Sequence, residues 1–202
     1  MDLFTLAAPF FDLAMKISGH HKVLVELGER IKKEELKSNF EKKNKSLLDL
    51  GGGTGELVNH LPQNLEITIV DPSKAMLKKG QKKSFSQPVN HILADAADLP
   101  FEDDLFDYLI ISDALHHFRL VEPALKEAAR VLKPGAKIYI LEFDPRSFFT
   151  RLIVFFEKLA GEPVNFYQPQ KLVSMLGKNE LKTEHEYLNK SLYIIQGKKS
   201  FE

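Results

Sequence analysis

Asp49, Gly51, Gly53 and Gly55 stand at alternate positions in LLDLGGGTGEL, the stretch from Leu47 to Leu57, and Gly52 makes four glycines within five positions. Each glycine costs backbone entropy, so such a cluster fits a loop that a ligand approaches closely. A phosphate-binding P-loop ends in Gly-Lys-Ser/Thr, whereas this loop runs Gly55-Glu56-Leu57. The dinucleotide fingerprint G-x-G-x-x-G fails as well, because the sixth position from Gly51 is Glu56. Asp49 and Glu56 flank the loop and oppose a pyrophosphate at a helix N-terminus. They suit a ligand that brings a cation. S-adenosylmethionine (SAM) carries a sulfonium and an ammonium, with a carboxylate that a helix N-terminus can receive, and D-x-G-x-G-x-G fits it.

Further chemistry-bearing residues follow at the ends of apolar runs. Asp71, after ITIV, is spaced to grip ribose hydroxyls. Asp71-Pro72 also reads as a helix N-cap with proline at the first helical position, and the two roles are compatible. Asp95 can accept from an adenine amino group, with the Ala96 backbone N–H offered to the ring. Asp98, Glu102, Asp103 and Asp104 read as solvated turn charges. His116 and His117 are the candidate bases for an acceptor that must lose a proton. Being adjacent, they are not expected to face one site together. With no third ligand near them in sequence, no metal site is expected.

The elements that must position these groups are legible as alternation. Residues 46–50, 66–71, 89–95, 105–112 and 136–143 read as strands, several too continuously apolar for a half-exposed sheet. Gly55–Leu61, Pro72–Lys83 and Val121–Leu132 read as helices, the last stopped by Lys133-Pro134-Gly135. This pattern predicts a doubly wound α/β sheet with right-handed crossovers and a ligand at the carboxyl ends of its strands. Residues 1–45 read as an N-terminal helical cap, 46–143 as the cofactor core, and 144–202 as acceptor-side helices and a closing hairpin, in one domain. In Ser147–Ala160 the stripe Phe148, Phe149, Leu152, Phe155, Phe156 and Leu159 reads as core packing under the sheet, ahead of an acceptor wall or a membrane contact.

Composition narrows the class. The 202 residues hold 28 Lys+Arg against 28 Asp+Glu, so the net charge is zero and no nucleic-acid partner is expected. The absence of cysteine removes disulfides, thiolate metal sites and cysteine nucleophiles, and fits a cytoplasmic setting. No run is apolar enough to predict a membrane span, which leaves peripheral contact at most. Oligomeric state is not legible.

LLDLGGGTGEL, ITIVDPSKAML, ILADAADLPFEDDLFDYLIISDALHHF and EAARVLKPGAKIYILEF resemble, in order, the motifs of class I SAM-dependent methyltransferases. Within that class they are most similar to the ubiquinone/menaquinone biosynthesis methyltransferases and their small-molecule relatives, over about Leu47 to Phe143. FFDLAMKISGHHKV resembles the segment ahead of the core that caps the cofactor, and FYQPQKLVSML the segment before the closing hairpin. The resemblance implies a Rossmann-like, seven-stranded sheet whose last strand is antiparallel. It implies SAM against Gly51, Gly53 and Gly55, Asp71 on the ribose, Asp95 and Ala96 on the adenine, and Ser112 and Asp113 facing the methionine and the methyl. SDALHHF departs from the Arg-Asn element of quinone-modifying members. The expected reaction is methyl transfer to a small-molecule acceptor, with apolar and phenolic or quinone-like compounds in range. The alternative is a SAM-binding protein that acts through a partner without catalysis.

Overall fold

Leu47, Leu48 and Leu50 are all fully buried, so both faces of the first strand are covered, as its continuous apolar run requires. The computed structural model describes residues 20–37 and 45–201. The segments expected to cap the cofactor ahead of His20, and the linker at 38–44, lie outside the described residues.

In chain order the elements are α1 (His20–Lys37), β1 (Lys45–Leu50), β2 (Leu65–Asp71), α2 (Lys74–Gly80), β3 (Val89–Leu93), β4 (Phe106–Ser112), α3 (Val121–Val131), β5 (Leu132–Phe143), α4 (Phe148–Ala160), α5 (Pro169–Gly177), β6 (Leu181–Tyr187) and β7 (Leu192–Lys199). They form a seven-stranded sheet in the order β3-β2-β1-β4-β5-β7-β6. β1, β2, β3, β4 and β5 pair in parallel, and β7 runs antiparallel to both β5 and β6. Six strands therefore share one direction and the last opposes them, as expected. The order reverses between β1 and β4, which places a ligand crevice at their carboxyl ends.

Two apolar cores lie on opposite faces. One packs Leu48, Leu109, Ile138 and Ile140 against Ala124, Leu125 and Ala128 of α3 and Leu172 and Leu176 of α5. The other packs Leu47, Ile67, Ile69 and Ile110 against Leu24, Leu27 and Ile31 of α1, Leu77 of α2 and Ile153 of α4. α1 is also pinned by polar contacts, since Glu35 accepts from Tyr108 Oη at 2.5 Å and from Lys45 Nζ at 2.7 Å. No helix among the described residues is long and apolar enough to cross a membrane.

Three local expectations are corrected. Gly55–Leu61 is not an α-helix but a series of turns leading into one 3-10 turn at Leu57–His60. Gly51, Gly53 and Gly55 all have φ between 54° and 79°, outside helical space, and Pro62 follows before a helix can extend. β3 ends at Leu93, so Asp95 lies past the strand in a turn. Of the Phe148–Leu159 stripe only Phe149 packs against the core, beside Phe143; Phe148 is 84% exposed, and Leu152, Phe155, Phe156 and Leu159 are all exposed. α4 instead turns Thr150, Ile153 and Glu157 inward, the spacing of one helix face.

Candidate functional site

At the carboxyl end of β1, Asp49 sits between Ile69 of β2 and Ile110 of β4. The loop then closes tightly, with Gly51 N donating to Val70 O at 2.7 Å and Gly55 N to Gly52 O at 2.8 Å. Gly52 lies directly over the Asp49 carboxylate, where a Cβ would fall 2.4 Å from Oδ2. Gly53 differs. Its φ of +54° favours glycine, yet a Cβ there would meet only Asp71 Oδ2, at 3.7 Å, so its bare face opens outward.

Asp49 is 1% exposed, and neither carboxylate oxygen has a hydrogen-bond partner. Burial, and then the neighbouring Asp71 charge, push its pKa up to about 7. An unpartnered buried carboxylate is costly, and a fold keeps one where a ligand supplies the missing partner. Asp71 accepts from Gly53 N at 3.0 Å and Ser73 N at 2.7 Å. Burial raises its pKa despite these two donors. The α2 cap is Ser73, whose Oγ accepts from Met76 N, so Asp71 is not the N-cap. Its carboxylate still has unused lone pairs. Asp95 is exposed and accepts from Ala97 N at 2.9 Å beside buried Ala96.

At the ends of β4 and β5 a second group of side chains converges. Ser112 closes β4 with its Oγ buried and unpartnered. Asp113 follows at φ 55°, its N–H donated to Leu141 O of β5 at 3.0 Å. The chain then makes a 3-10 turn over Leu115–His117. Glu142, fully buried on β5, lies with both oxygens 2.9 Å from His116 Nδ1 and accepts the His116 backbone N–H at 3.2 Å. On its other side the His116 ring is stacked on Phe166, centroids 4.2 Å apart and planes at 14°. Asn165 N–H, donated to His116 O at 2.9 Å, holds that segment in place.

The two histidines do meet at one place, contrary to the sequence expectation. His116 Nε2 is 3.5 Å and His117 Nε2 3.9 Å from Glu157 Oε1. The 3-10 turn tilts the adjacent rings by 48° at 4.1 Å, and α4 lays Glu157 across both. Burial opposes charge on His116, but Glu142, Glu157 and Asp113 outweigh it and hold the ring protonated well above an ordinary histidine. His117 goes the other way, down to about 3, through burial and the His116 charge. Asp113 is pushed up to about 7 by burial and by Glu142 and Glu157, against the pull of His116.

The structure therefore gathers Asp49, Gly51, Gly53, Gly55 and Asp71 at the carboxyl ends of β1 and β2, and Ser112, Asp113, His116 and His117 at the carboxyl ends of the neighbouring β4 and β5, with Asp95 and Ala96 in the turn after β3. Sequence reasoning missed Glu142, Glu157 and Phe166. Glu142 had a signal, a lone charge inside KIYILEF where every neighbour from Ile138 to Phe143 is apolar. Glu157 had a fainter one, an acid in the apolar half of a helix.

Residues 48–140 match the family described as a methyltransferase domain. A ubiquinone/menaquinone biosynthesis C-methyltransferase, UbiE, of Proteus mirabilis is 35% identical over 121 residues, covering 56% of this chain and 48% of that protein. The same enzyme of Rickettsia massiliae is 35% identical over 133 residues, covering 60% and 54%. The chain thus spans about half the length of these relatives. Among solved structures, the CurJ carbon methyltransferase superposes with a TM-score of 0.76 at 18% identity, over 100% of this chain and 62% of that one. A possible histamine N-methyltransferase of Thermotoga maritima superposes with 0.68 at 20% identity, over 98% and 99%. At those identities the likeness speaks for the fold, while the sequence match speaks for the domain. Residues 48–140 thus match a methyltransferase-domain family, and the sheet that carries them, with an unpartnered carboxylate under its glycine loop, has the fold of those solved methyltransferases.

Proposed function

We propose that the protein transfers the methyl group of SAM to a small-molecule acceptor seated at the ends of β4 and β5. The observation that carries this is Asp49, a buried carboxylate without a partner beside the open face of Gly53. A cationic ligand group answers it. Asp71 would take the ribose hydroxyls, Asp95 and Ala96 the adenine, and Ser112 and Asp113 the methionine end. The loop carries no α-helix behind it, so the methionine carboxylate would rely on loop and side-chain donors instead of a helix dipole.

SAM supplies an activated methyl group, and methyl transfer is an in-line displacement at its carbon. What the protein adds is alignment and exclusion of water. Residues 46–143 would hold the cofactor, and the segment after Phe143 would wall the acceptor through Glu157 and Phe166. The acceptor's proton would leave to Nδ1 of His117, the neutral ring of the pair, while His116 is kept protonated by the carboxylates around it. The homologous C-methyltransferases bring carbon nucleophiles of phenolic or quinone-like rings into range. Nothing in the proposal calls for nucleic acid.

The test is calorimetric titration with S-adenosylhomocysteine, followed by transfer of labelled methyl to a panel of phenols, quinols and amines. Micromolar binding that Asp71→Ala weakens, with turnover on one acceptor class, supports the reading. A folded protein that does not bind S-adenosylhomocysteine overturns it.

A further inference from the structure

The space between the two imidazoles and Glu157 has no role in holding the cofactor, and its chemistry is unusual. Glu157 is 5% exposed, and neither of its oxygens has a hydrogen-bond partner. Its Oε1 faces two ring nitrogens, at 3.5 and 3.9 Å, both beyond a good hydrogen bond. Two donor atoms bound to one tetrahedral ion at about 2.1 Å lie roughly 3.4 Å apart, so these separations are near those of ligands sharing a cation. His116 Nε2, His117 Nε2 and a Glu157 oxygen come from two elements 40 residues apart in the chain, yet the metal-ligating atoms of the three residues all lie within 4.8 Å of one another.

We propose that His116, His117 and Glu157 form a binding site for one divalent transition-metal ion. Two imidazoles and one carboxylate are the donor set that takes zinc or ferrous iron while leaving coordination positions open. Magnesium and calcium prefer oxygen ligands and are disfavoured here. The backing of His116 is the arrangement such ligands use. Its Nδ1 is held by the Glu142 carboxylate, which fixes the ring and directs Nε2 at the ion. The stacked Phe166 ring prevents His116 from swinging away. Asp113 and Glu142 add negative charge beside the site, in keeping with a doubly charged guest. The ion would leave room for an oxygen donor from a bound molecule.

This inference stands apart from the methyl-transfer reading, because metal binding and S-adenosylhomocysteine binding are separate measurements. Chelator-treated, full-length protein would be titrated anaerobically with cobalt(II), reading visible d–d absorption, and then with zinc as competitor. The expected result is one saturable cobalt site per chain, emptied by zinc. Glu157→Gln should weaken the metal at least tenfold while leaving S-adenosylhomocysteine binding in place, which shows that the variant is folded. His117→Gln, at a partly exposed position, should weaken it comparably. Absence of saturable binding to folded wild-type protein overturns the proposal. So does cobalt affinity that neither substitution changes, because the ion would then sit elsewhere.

Discussion

At the β1–β2 end, the glycine loop and the two carboxylates that flank it come from one strand–loop–strand unit between Asp49 and Asp71. At the β4–β5 end, His116, Glu142, Glu157 and Phe166 come from a turn, a strand, a helix and a loop. The first region is shaped by backbone: three positive-φ glycines and two main-chain donors on Asp71. The second is shaped by side chains that fix one another. Electrostatics divide along the same line. Asp49 has no hydrogen-bond partner and would be answered by a cationic group of the proposed ligand, while His116 is already enclosed by carboxylates. In the proposed reading, a cofactor that differs little between enzymes would be met by local, repeatable geometry, and an acceptor that differs widely by parts assembled from afar.

The largest effect should come from breaking the assembled end. Glu142→Gln leaves the buried His116 without its principal counter-charge and should cost about 3–5 kcal/mol of stability. Thermal unfolding measures that loss, and S-adenosylhomocysteine affinity at a permissive temperature should be unchanged. If affinity falls in step, the two ends are not separable as described. Gly53→Val attacks the backbone end. It fills the open face and strains a +54° φ, so binding should drop about 100-fold, roughly 3 kcal/mol, in a chain that still shows its native circular dichroism. Retained affinity would put the ligand elsewhere. Asp71→Ala should be milder, costing about 1–3 kcal/mol of binding, because one charged acceptor is lost from an otherwise intact pocket.

Asp49 gives the comparison a pH signature. Its pKa near 7 lies above its ordinary value, so below pH 7 it is neutral and cannot pair with an ammonium. Cofactor affinity should therefore fall toward tenfold per pH unit as pH drops below about 7 and level off above it. The stability of the free chain runs the other way. The unfolded carboxyl ionises first, so the chain loses up to about 1.4 kcal/mol per pH unit as pH rises from about 4 to 7. Asp49→Asn should flatten this residue's share of both slopes, which calorimetry and denaturant titration across that range would read. The smallest effect is expected at α4. Phe155→Ser should change stability by less than about 0.5 kcal/mol, since the ring is exposed. A loss of about 3–5 kcal/mol would restore the core assignment that the structure removes.

This contrast also explains what could be seen in the sequence. The sheet was legible because parallel strands buried on both faces carry runs of consecutive apolar residues, as Leu109–Ile111 of β4 and Ile138–Leu141 of β5 do. The glycine loop was legible because its residues are contiguous, and the positive φ of Gly51, Gly53 and Gly55 is what that clustering calls for. His116 and His117 were visible as types, but their convergence was not, since it depends on α4 lying across the turn. The same helix defeated the amphipathicity argument. Its apolar stripe is real but, Phe149 apart, faces outward, because the inward face is committed to Thr150, Ile153 and Glu157. Hydrophobic periodicity finds a helix and reads its wetter side as solvent, a rule that fails where a carboxylate is the buried cargo. Asp71 as N-cap failed for a smaller reason, with Ser73 two residues on making the cap instead.

β7 is the last strand in chain order, yet it lies between β5 and β6, and its register sets Tyr193 opposite Glu142. On a ribosome the strands around the glycine loop emerge and can pair early, while the outer edge of β5 stays open until residues 192–199 arrive. Pairings of such wide sequence separation are slow to close. The protein thus acquires its two neighbouring clusters at different times in its synthesis: the glycine loop shaped by backbone comes first, and the cluster that depends on Glu142 is finished only when residues 192–199 arrive.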